Sequence, residues 1–484
     1  MTMMIMAACA GMTAAQEYPE PIERFGVQGH FGRHSWDFGP LLPFMRKMGV
    51  SWIKDEIYWH QVETEKGRYA IDEVNEAWIR QATDAGIRLI FSLTYGNHLY
   101  ENPLDPDAYA NWCRFMAAHF RGRIDVWEIW NEPQNMWFRA QYGGQWNGAG
   151  ESPWVEKFAE MVEKASKAVR EGNPEAVIIS SGGSPPATHH LLNRFGERLV
   201  ELDGLAEHPY PFRLPPETMP YGGPEILARD GVATVDDDHS FSSLIRRLRE
   251  LGRKIDDDPS IWITEVGYTT YLPGRGVGLS YGFTPEAQAA YLVRMVVQSL
   301  TAEVSAVCVY DLMNDGPDLF ESEHNFGLLD HAMQPKPAVE AFARLASMLG
   351  GGHEVIDAPA ALECLPAEPP VGDAWQTGPE ESFSPIQGPQ CHWFRTKRGL
   401  VSLYWRAGRY NRETNGPLVR FVWPEGGEIK EVETTDLVTG GSIRIGVAKQ
   451  DESWRTEPFV LDSNPRIIAW PQECFEHSDQ ESLR

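Results

Sequence analysis

Two short runs hold the residues best placed to do chemistry. Val126-Trp127-Glu128-Ile129-Trp130-Asn131-Glu132-Pro133 and Ile261-Trp262-Ile263-Thr264-Glu265-Val266-Gly267-Tyr268 each close an apolar, β-like stretch near a glutamate. Pro133 has no N–H to give to a ladder, so strand pairing stops near Glu132, which brings Asn131 and Glu132 to the strand end. A carboxyl beside Trp130 and Trp137 is partly desolvated, and desolvation favours its protonated form. A protonated acid next to a leaving oxygen is one half of what glycoside cleavage requires. In the second run, strand alternation puts Ile261, Ile263 and Glu265 on one face. The two isoleucines suit an interior, so Glu265 is expected to point inward as the second carboxylate. Either glutamate alone reads equally well as a surface or salt-bridged acid; it is the pair, in aromatic settings, that points to a sugar–oxygen bond. A carboxylate separation of about 5–5.5 Å would mean attack by the second group and retention of configuration.

The elements that must position this pair are legible as an alternation. Strand-like runs fall at 25–31, 50–57, 87–95, 124–130, 176–181, 204–208, 261–265 and 305–310. Amphipathic helical patterns follow them near 40–48, 72–85, 106–120, 153–171, 189–202, 240–251, 285–302 and 336–349. Thr284-Pro285 is an N-cap with proline at the first helical position, and Gly86 and Gly172 read as helix stops. Eight such units predict an α/β chain with a (β/α)8 TIM barrel over 17–352, whose chemistry sits at the C-terminal strand ends. Strands four and seven would then face each other across its mouth. A doubly wound sheet is the alternative, weakened because no GxGxxG follows an early strand. Two long loops, 209–239 and 267–283, are expected to shape the cleft.

After Gly350-Gly351-Gly352 the pattern changes. Residues 365–390 are rich in Pro, Gly and acids and read as a loop. Short alternating runs after them, at 392–395, 400–404, 419–422, 428–434, 442–447 and 467–470, predict a C-terminal antiparallel β-sandwich domain over 353–484. It reads either as a support for the barrel or as a carbohydrate-binding module.

Trp-Asn-Glu-Pro after strand four and Thr-Glu after strand seven resemble clan A glycoside hydrolases, which are retaining (β/α)8 enzymes. Glu63-Thr-Glu-Lys-Gly-Arg-Tyr69, Tyr95-Gly-Asn-His-Leu-Tyr100, Tyr310-Asp-Leu-Met-Asn-Asp-Gly316, and Glu323-His-Asn-Phe-Gly-Leu328 with Pro335-Lys-Pro337 are similar to glycoside hydrolase family 39. The likeness is to its bacterial branch containing exopolysaccharide hydrolases, over about residues 25–350. It implies Glu132 as general acid/base, Glu265 as nucleophile and Asn131 as the partner of the sugar 2-hydroxyl. His208-Pro209-Tyr210 is similar to the clan's His-x-Tyr pattern, in which Tyr210 would orient Glu265. His208 reads equally as a structural histidine. Many clan members carry Trp at the end of strand eight, where this chain has Tyr310.

Other positions are candidates for substrate contact. Trp59, Trp137, Trp146, Tyr268 and Tyr281 lie in or near βα loops and are able to stack on sugars, although aromatics are more often packing. Asn97 and His98 follow strand three and would touch hydroxyls. Arg139, Arg213 and Arg275 would meet an acidic sugar. Glu128 shares parity with Glu132 and is expected to pair inside the barrel with Lys54. That parity clashes with both Asn131 and Glu132 reaching the cleft unless the strand end bends.

Composition narrows the classes. The chain has 484 residues, 42% of them hydrophobic, and 43 basic against 69 acidic side chains give a formal net charge of −26. That charge repels phosphate backbones and argues against nucleic acid as a partner. No run approaches the roughly 18 apolar residues of a membrane span. The six cysteines form no CxxC pair; Cys364 and Cys391 are the pair that an oxidising compartment would join. His189-His190 lacks metal-ligand spacing, so neither a metal nor a cofactor is expected. Residues 1–16 resemble a secretory signal and imply a secreted or periplasmic protein; Met6-Ala7-Ala8-Cys9 matches a lipoprotein box poorly, and a disordered tail is the alternative. No feature sets an oligomeric state. The expected function is a retaining glycosidase acting on a β-linked oligo- or polysaccharide. The rivals are a non-catalytic carbohydrate-binding protein on the same scaffold and a different barrel enzyme.

Overall fold

Each of the eight apolar runs becomes a strand, and each is followed by its helix. The computed structural model describes residues 18–475 apart from 136, 273–281, 366–385, 412–415, 425–426 and 428. The leader 1–16, Tyr281, Arg275 and most of the loop 365–390 therefore lie outside the described residues. The strands are β1 (Phe25–Gln28), β2 (Trp52–Glu56), β3 (Arg88–Leu93), β4 (Val126–Ile129), β5 (Val177–Ile179), β6 (Gly204–Glu207), β7 (Ser260–Val266) and β8 (Ala306–Val309). The helices between and after them are α1 (Phe38–Met48), α2 (Glu73–Asp84), α3 (Pro106–His119), α4 (Pro153–Gly172), α5 (Pro185–Phe195), α6 (Phe241–Gly252), α7 (Pro285–Thr301) and α8 (Pro337–Leu349). The strands pair in parallel, each with its sequence neighbours, and β1 with β8 closes the barrel. Caps match the sequence signals. The Thr284 hydroxyl accepts from Ala287 N at 3.2 Å ahead of Pro285, and Gly86 ends α2 at φ 77°.

The barrel interior is layered. One apolar layer is built from Trp52, Ile90, Val126, Ile179, Ala206, Trp262, Ala306 and Cys308. Gly26 keeps this layer tight, because a Cβ there would stand 2.8 Å from both Cys308 Sγ and Trp52 Cβ. Two residues further along the strands the interior turns polar: Lys54, Ser92, Glu128, His208 and Thr264 are all buried. This corrects the expected facing of strand seven. Trp262 and Thr264 point inward, while Ile261 and Ile263 pack outward in the large core shared with the helices. Glu265 still reaches the mouth because the β7–β8 register slips: Ile263 faces Val307 but Val266 faces Val309, so one extra residue is accommodated between them.

The second domain is an antiparallel sandwich. Its strands are β9 (His353–Ile356), β10 (Ala361–Cys364), β11 (Gly388–Thr396), β12 (Gly399–Ala407), β13 (Leu418–Trp423), β14 (Glu431–Asp436), β15 (Ser442–Gln450), β16 (Ser453–Thr456), β17 (Phe459–Val460) and β18 (Arg466–Trp470). They run β9-β11-β12-β18-β14-β15-β16-β13-β10, with β17 on β13, so the two layers are continuous through β15. Trp393, Tyr404, Phe421, Trp423 and Trp470 fill the space between them. Cys364 and Cys391, whose pairing the sequence leaves open, are both free thiols: Cys364 faces Val419 on β13, whereas Cys391 faces Tyr404 on β12.

Val401, Leu403 and Trp405 of β12 belong to the same apolar core as the barrel helices. At this join Glu217 accepts from Arg294 Nε at 2.8 Å and from Trp405 Nε1 at 2.7 Å, and it also bonds Arg294 Nη2. No described helix is long and apolar enough to cross a membrane.

Candidate active site

The ends of β3, β4, β6, β7 and β8 supply the groups at the barrel mouth, with Lys54 rising from inside β2. At the end of β4 the backbone turns left-handed at Trp130 (φ 74°) and again at Glu132 (φ 47°). This is the bend that the parity conflict required. It sends the Trp130 ring into the core against Tyr109 and Phe138, and it leaves both Asn131 and Glu132 facing the cleft. The partners of Glu132 are polar: His208 Nδ1 lies 3.1 Å from its Oε1, and Asn135 Nδ2 donates to its Oε2 at 2.5 Å.

Glu265, 8% exposed, receives Lys54 Nζ on Oε1 at 2.6 Å and the Tyr210 hydroxyl on Oε2 at 3.3 Å. His208 Nδ1 also stands 3.4 Å from Oε2. Burial opposes ionisation of this carboxyl. The charges of His208 and Lys54 overcome that penalty and hold it down to about 2, well below the usual carboxylate range. One oxygen of Glu132 and one of Glu265 lie within 4.8 Å of each other and of a His208 ring nitrogen.

Lys54 does more than pair with Glu128, from which it stands 3.7 Å away. It also donates to Asn131 Oδ1 at 2.9 Å, and Asn131 Nδ2 donates to the Tyr95 hydroxyl at 3.1 Å. The amide of Asn131 is therefore fixed from both sides. The role of Lys54 at Glu265 was missed from sequence. The available signal was its parity with Trp52 along β2, which turns it inward.

A buried chain of hydrogen bonds runs beneath the pair. Glu128 accepts from Gly182 N at 2.7 Å, from Thr264 Oγ1 at 2.9 Å and from Ser92. With its one hydroxyl proton on Glu128, Thr264 can only accept at its 3.0 Å contact with His208 Nε2. Nε2 then carries a proton, and Nδ1 is the ring atom turned to Glu132 Oε1. Gly182 makes room for this chain, since a Cβ there would come within 2.0 Å of His208 Nε2.

The remaining sequence candidates divide. Trp137 is half-buried and stacks on Tyr95 at 6.2 Å, with the exposed His98 against its other edge at 5.6 Å. Tyr310 ends β8 between His30 and Phe326, with its ring edge-on to both. Trp59 and Asn97 are corrections. Trp59 is fully buried, stacks on Trp112 and donates to Glu63 Oε2 at 2.6 Å. Asn97 is 1% exposed; it donates to Glu63 O at 2.9 Å and accepts from Leu99 N at 3.0 Å, so its amide is spent on shaping the loop. Tyr268, 1% exposed and donating to Leu214 O, is likewise packing, and Trp146 carries Arg229 over its face. A hollow of about 740 Å³ lined by Arg24, Trp52, Arg88 and Trp262 opens at the N-terminal end of the barrel, away from the carboxylate pair.

No protein-family model matches the chain, and no curated protein matches its sequence. Its structure is similar to that of a family 39 glycoside hydrolase from the gut symbiont Bacteroides cellulosilyticus, at 20% identity over 93% of this chain and 81% of that one, with a TM-score of 0.67. It is also similar to a glucosidase from Croceicoccus marinus (13% identity, 93% and 96% covered, TM-score 0.53). A GH30 endoxylanase from Clostridium papyrosolvens is a third (10%, 93% and 97%, 0.52). These likenesses establish the two-domain fold, a barrel followed by a β-sandwich.

Proposed function

We propose that this chain is a retaining glycoside hydrolase of the family 39 type, cleaving a β-linked oligo- or polysaccharide by double displacement. The observation that carries the reading is the approach of Glu132 and Glu265 to within 4.8 Å around His208. So close an approach of one oxygen from each group is what direct attack by a carboxylate calls for. Glu265 stays ionised and is the nucleophile. Its Oε1 is committed to Lys54, so Oε2, with only longer contacts, is the attacking oxygen. Glu132 gives its proton to the leaving oxygen as the C1–O bond breaks and the bond from Glu265 forms. Glu132 then takes a proton from water, which attacks C1 and releases Glu265. Asn131, held by Lys54 and Tyr95, presents its amide to the sugar 2-hydroxyl. Trp137 and Tyr310 wall the cleft. The kinship in fold with a family 39 hydrolase supports the same reading, since the side chains here meet that chemistry's needs.

The test is proton NMR of the anomeric centre during cleavage of β-linked aryl glycosides and polysaccharides. The first product should have the configuration of the substrate, and Glu265→Gln should abolish turnover in a folded protein. An inverted first product, or an active Glu132→Gln/Glu265→Gln double variant, overturns the assignment. A chain that binds these glycans and cleaves none of them would instead be a non-catalytic binder.

A further inference from the structure

Beside the catalytic pair, at the seam where β1 meets β8, three buried side chains converge with no hydrogen bonds of their own. His30 follows β1, and Asp311 and Asp315 follow β8. One ligand atom from each lies within 4.8 Å of the other two. His30 is 1% exposed and Asp311 is fully buried. Among the described residues, both ring nitrogens of His30, both carboxylate oxygens of Asp311 and Oδ1 of Asp315 are buried without a hydrogen-bond partner. No lysine or arginine forms an ion pair with either aspartate among the described residues. Among these residues Asp311, the deeper carboxylate, has only His30 within ion-pair distance and no hydrogen bond to either oxygen.

The spacing identifies what would compensate them. His30 Nε2 stands 3.5 Å from Asp311 Oδ2 and 3.5 Å from Asp315 Oδ1. A buried imidazolium between carboxylates would draw them in to about 2.7–2.9 Å. Two ligands of one tetrahedral ion bonded at about 2.0–2.1 Å lie roughly 3.4 Å apart. His34 Nε2 stands 3.6 Å from Asp315 Oδ1 but does not converge with the other three groups, so a fourth position would fall to solvent. We propose that His30, Asp311 and Asp315 form a zinc-type divalent metal site, with its fourth position open to solvent, that clamps the loops after β1 and β8. The nitrogen and carboxylate donor set suits Zn(II), and one neutral imidazole with two ionised carboxylates leaves the filled site without net charge. Sequence spacing hides it, because its two halves lie about 280 residues apart in the chain and meet only where β1 pairs with β8. The site lies outside the proposed catalytic machinery, and its test reads metal rather than turnover.

The full chain, stripped with chelator and dialysed, is titrated with zinc chloride against a chromophoric chelator and, separately, with cobalt(II). One equivalent of zinc is expected to bind and raise Tm, and cobalt should give the intense visible bands of a four-coordinate ion. Asp315→Asn should weaken zinc at least tenfold with its circular dichroism unchanged, whereas Glu265→Gln should keep full affinity. Absence of stoichiometric zinc, or a weak octahedral cobalt spectrum, overturns the proposal in the wild-type chain alone. So does a loss of zinc caused by Glu265→Gln but not by Asp315→Asn.

Discussion

Lys54 Nζ sits 2.6 Å from Glu265 Oε1, with the lysine wholly buried and its ammonium shared among Glu265, Asn131 and Glu128. This contact ties the inside of β2 to the end of β7. It keeps Glu265 ionised in a place where burial alone would protonate it.

Replacing Lys54 with methionine preserves length and removes the charge. Glu265 should then titrate about 1–3 units higher, and the acid limb of kcat/KM should move up by the same amount. At neutral pH kcat/KM should fall about 10²–10³-fold, as expected for losing one preorganised electrostatic contact. Stability follows with a definite sign. The folded carboxyl titrates near 2 against an ordinary 4.5, so ionised Glu265 stabilises the fold above pH 4.5 and that contribution is lost as pH falls from 4.5 towards 2. Acid unfolding of Lys54→Met should therefore begin at higher pH than in the wild type. Matching acid limbs in a pH–rate comparison would remove Lys54 from this role.

Thr264 tests the buried chain beneath Glu132. Thr264→Val keeps the shape and removes the acceptor for His208 Nε2–H, whose next acceptor, Glu128 Oε1, is 3.9 Å away. The ring then favours a proton on Nδ1, and Glu132 becomes the acceptor rather than the acid. The loss should depend on the leaving group. Glycosides with poor leaving groups should slow at least tenfold, a part of the 10²–10⁴ a general acid supplies, while activated aryl glycosides should change little. A uniform loss across leaving groups would mean that Thr264 is only packing.

The chain shows why some of this was legible and some was not. The strands were readable because most apolar runs stand next to a glycine, as those beside Gly49, Gly86 and Gly267 do, and parity then put Glu128 and Lys54 inside together. Parity failed for Glu265 because the β7–β8 register slips, and a bulge leaves no mark in hydrophobic periodicity. Lys54 at Glu265, and His30 with Asp311, are contacts between distant strands, which sequence spacing does not encode. Trp59 and Trp137 looked alike because both follow strand ends; only packing separates them.

That separation is measurable. Trp59→Ala should cost about 3–5 kcal/mol of stability by opening a cavity against Trp112, with KM unchanged for the fraction that stays folded. Trp137→Ala should leave unfolding nearly unaltered and raise KM about 2- to 10-fold, the value of one aromatic stacking face. Calorimetry and steady-state kinetics on the two variants would read the opposite pattern if Trp137 were core and Trp59 the sugar platform.

The join between the domains rests on a buried pair with a countable cost. Arg294 of α7 is fully buried and Glu217 is 2% exposed; Arg294 Nη2 also donates to Gly408 O at 2.9 Å. Glu217→Gln leaves the guanidinium uncompensated and should cost about 3–5 kcal/mol. Since Trp405 Nε1 shares the same carboxylate, the loss falls on the contact between barrel and sandwich. Calorimetry should turn a single unfolding transition into two, with the sandwich melting first. The Glu217→Gln/Arg294→Met double variant removes the stranded charge and should recover most of the lost stability, because a buried ion pair contributes little beyond an apolar pair of similar volume. Activity at low temperature should be unchanged in both, as neither side chain is near Glu132 or Glu265. A single transition at the wild-type Tm in Glu217→Gln would show that the shared apolar core alone holds the domains together.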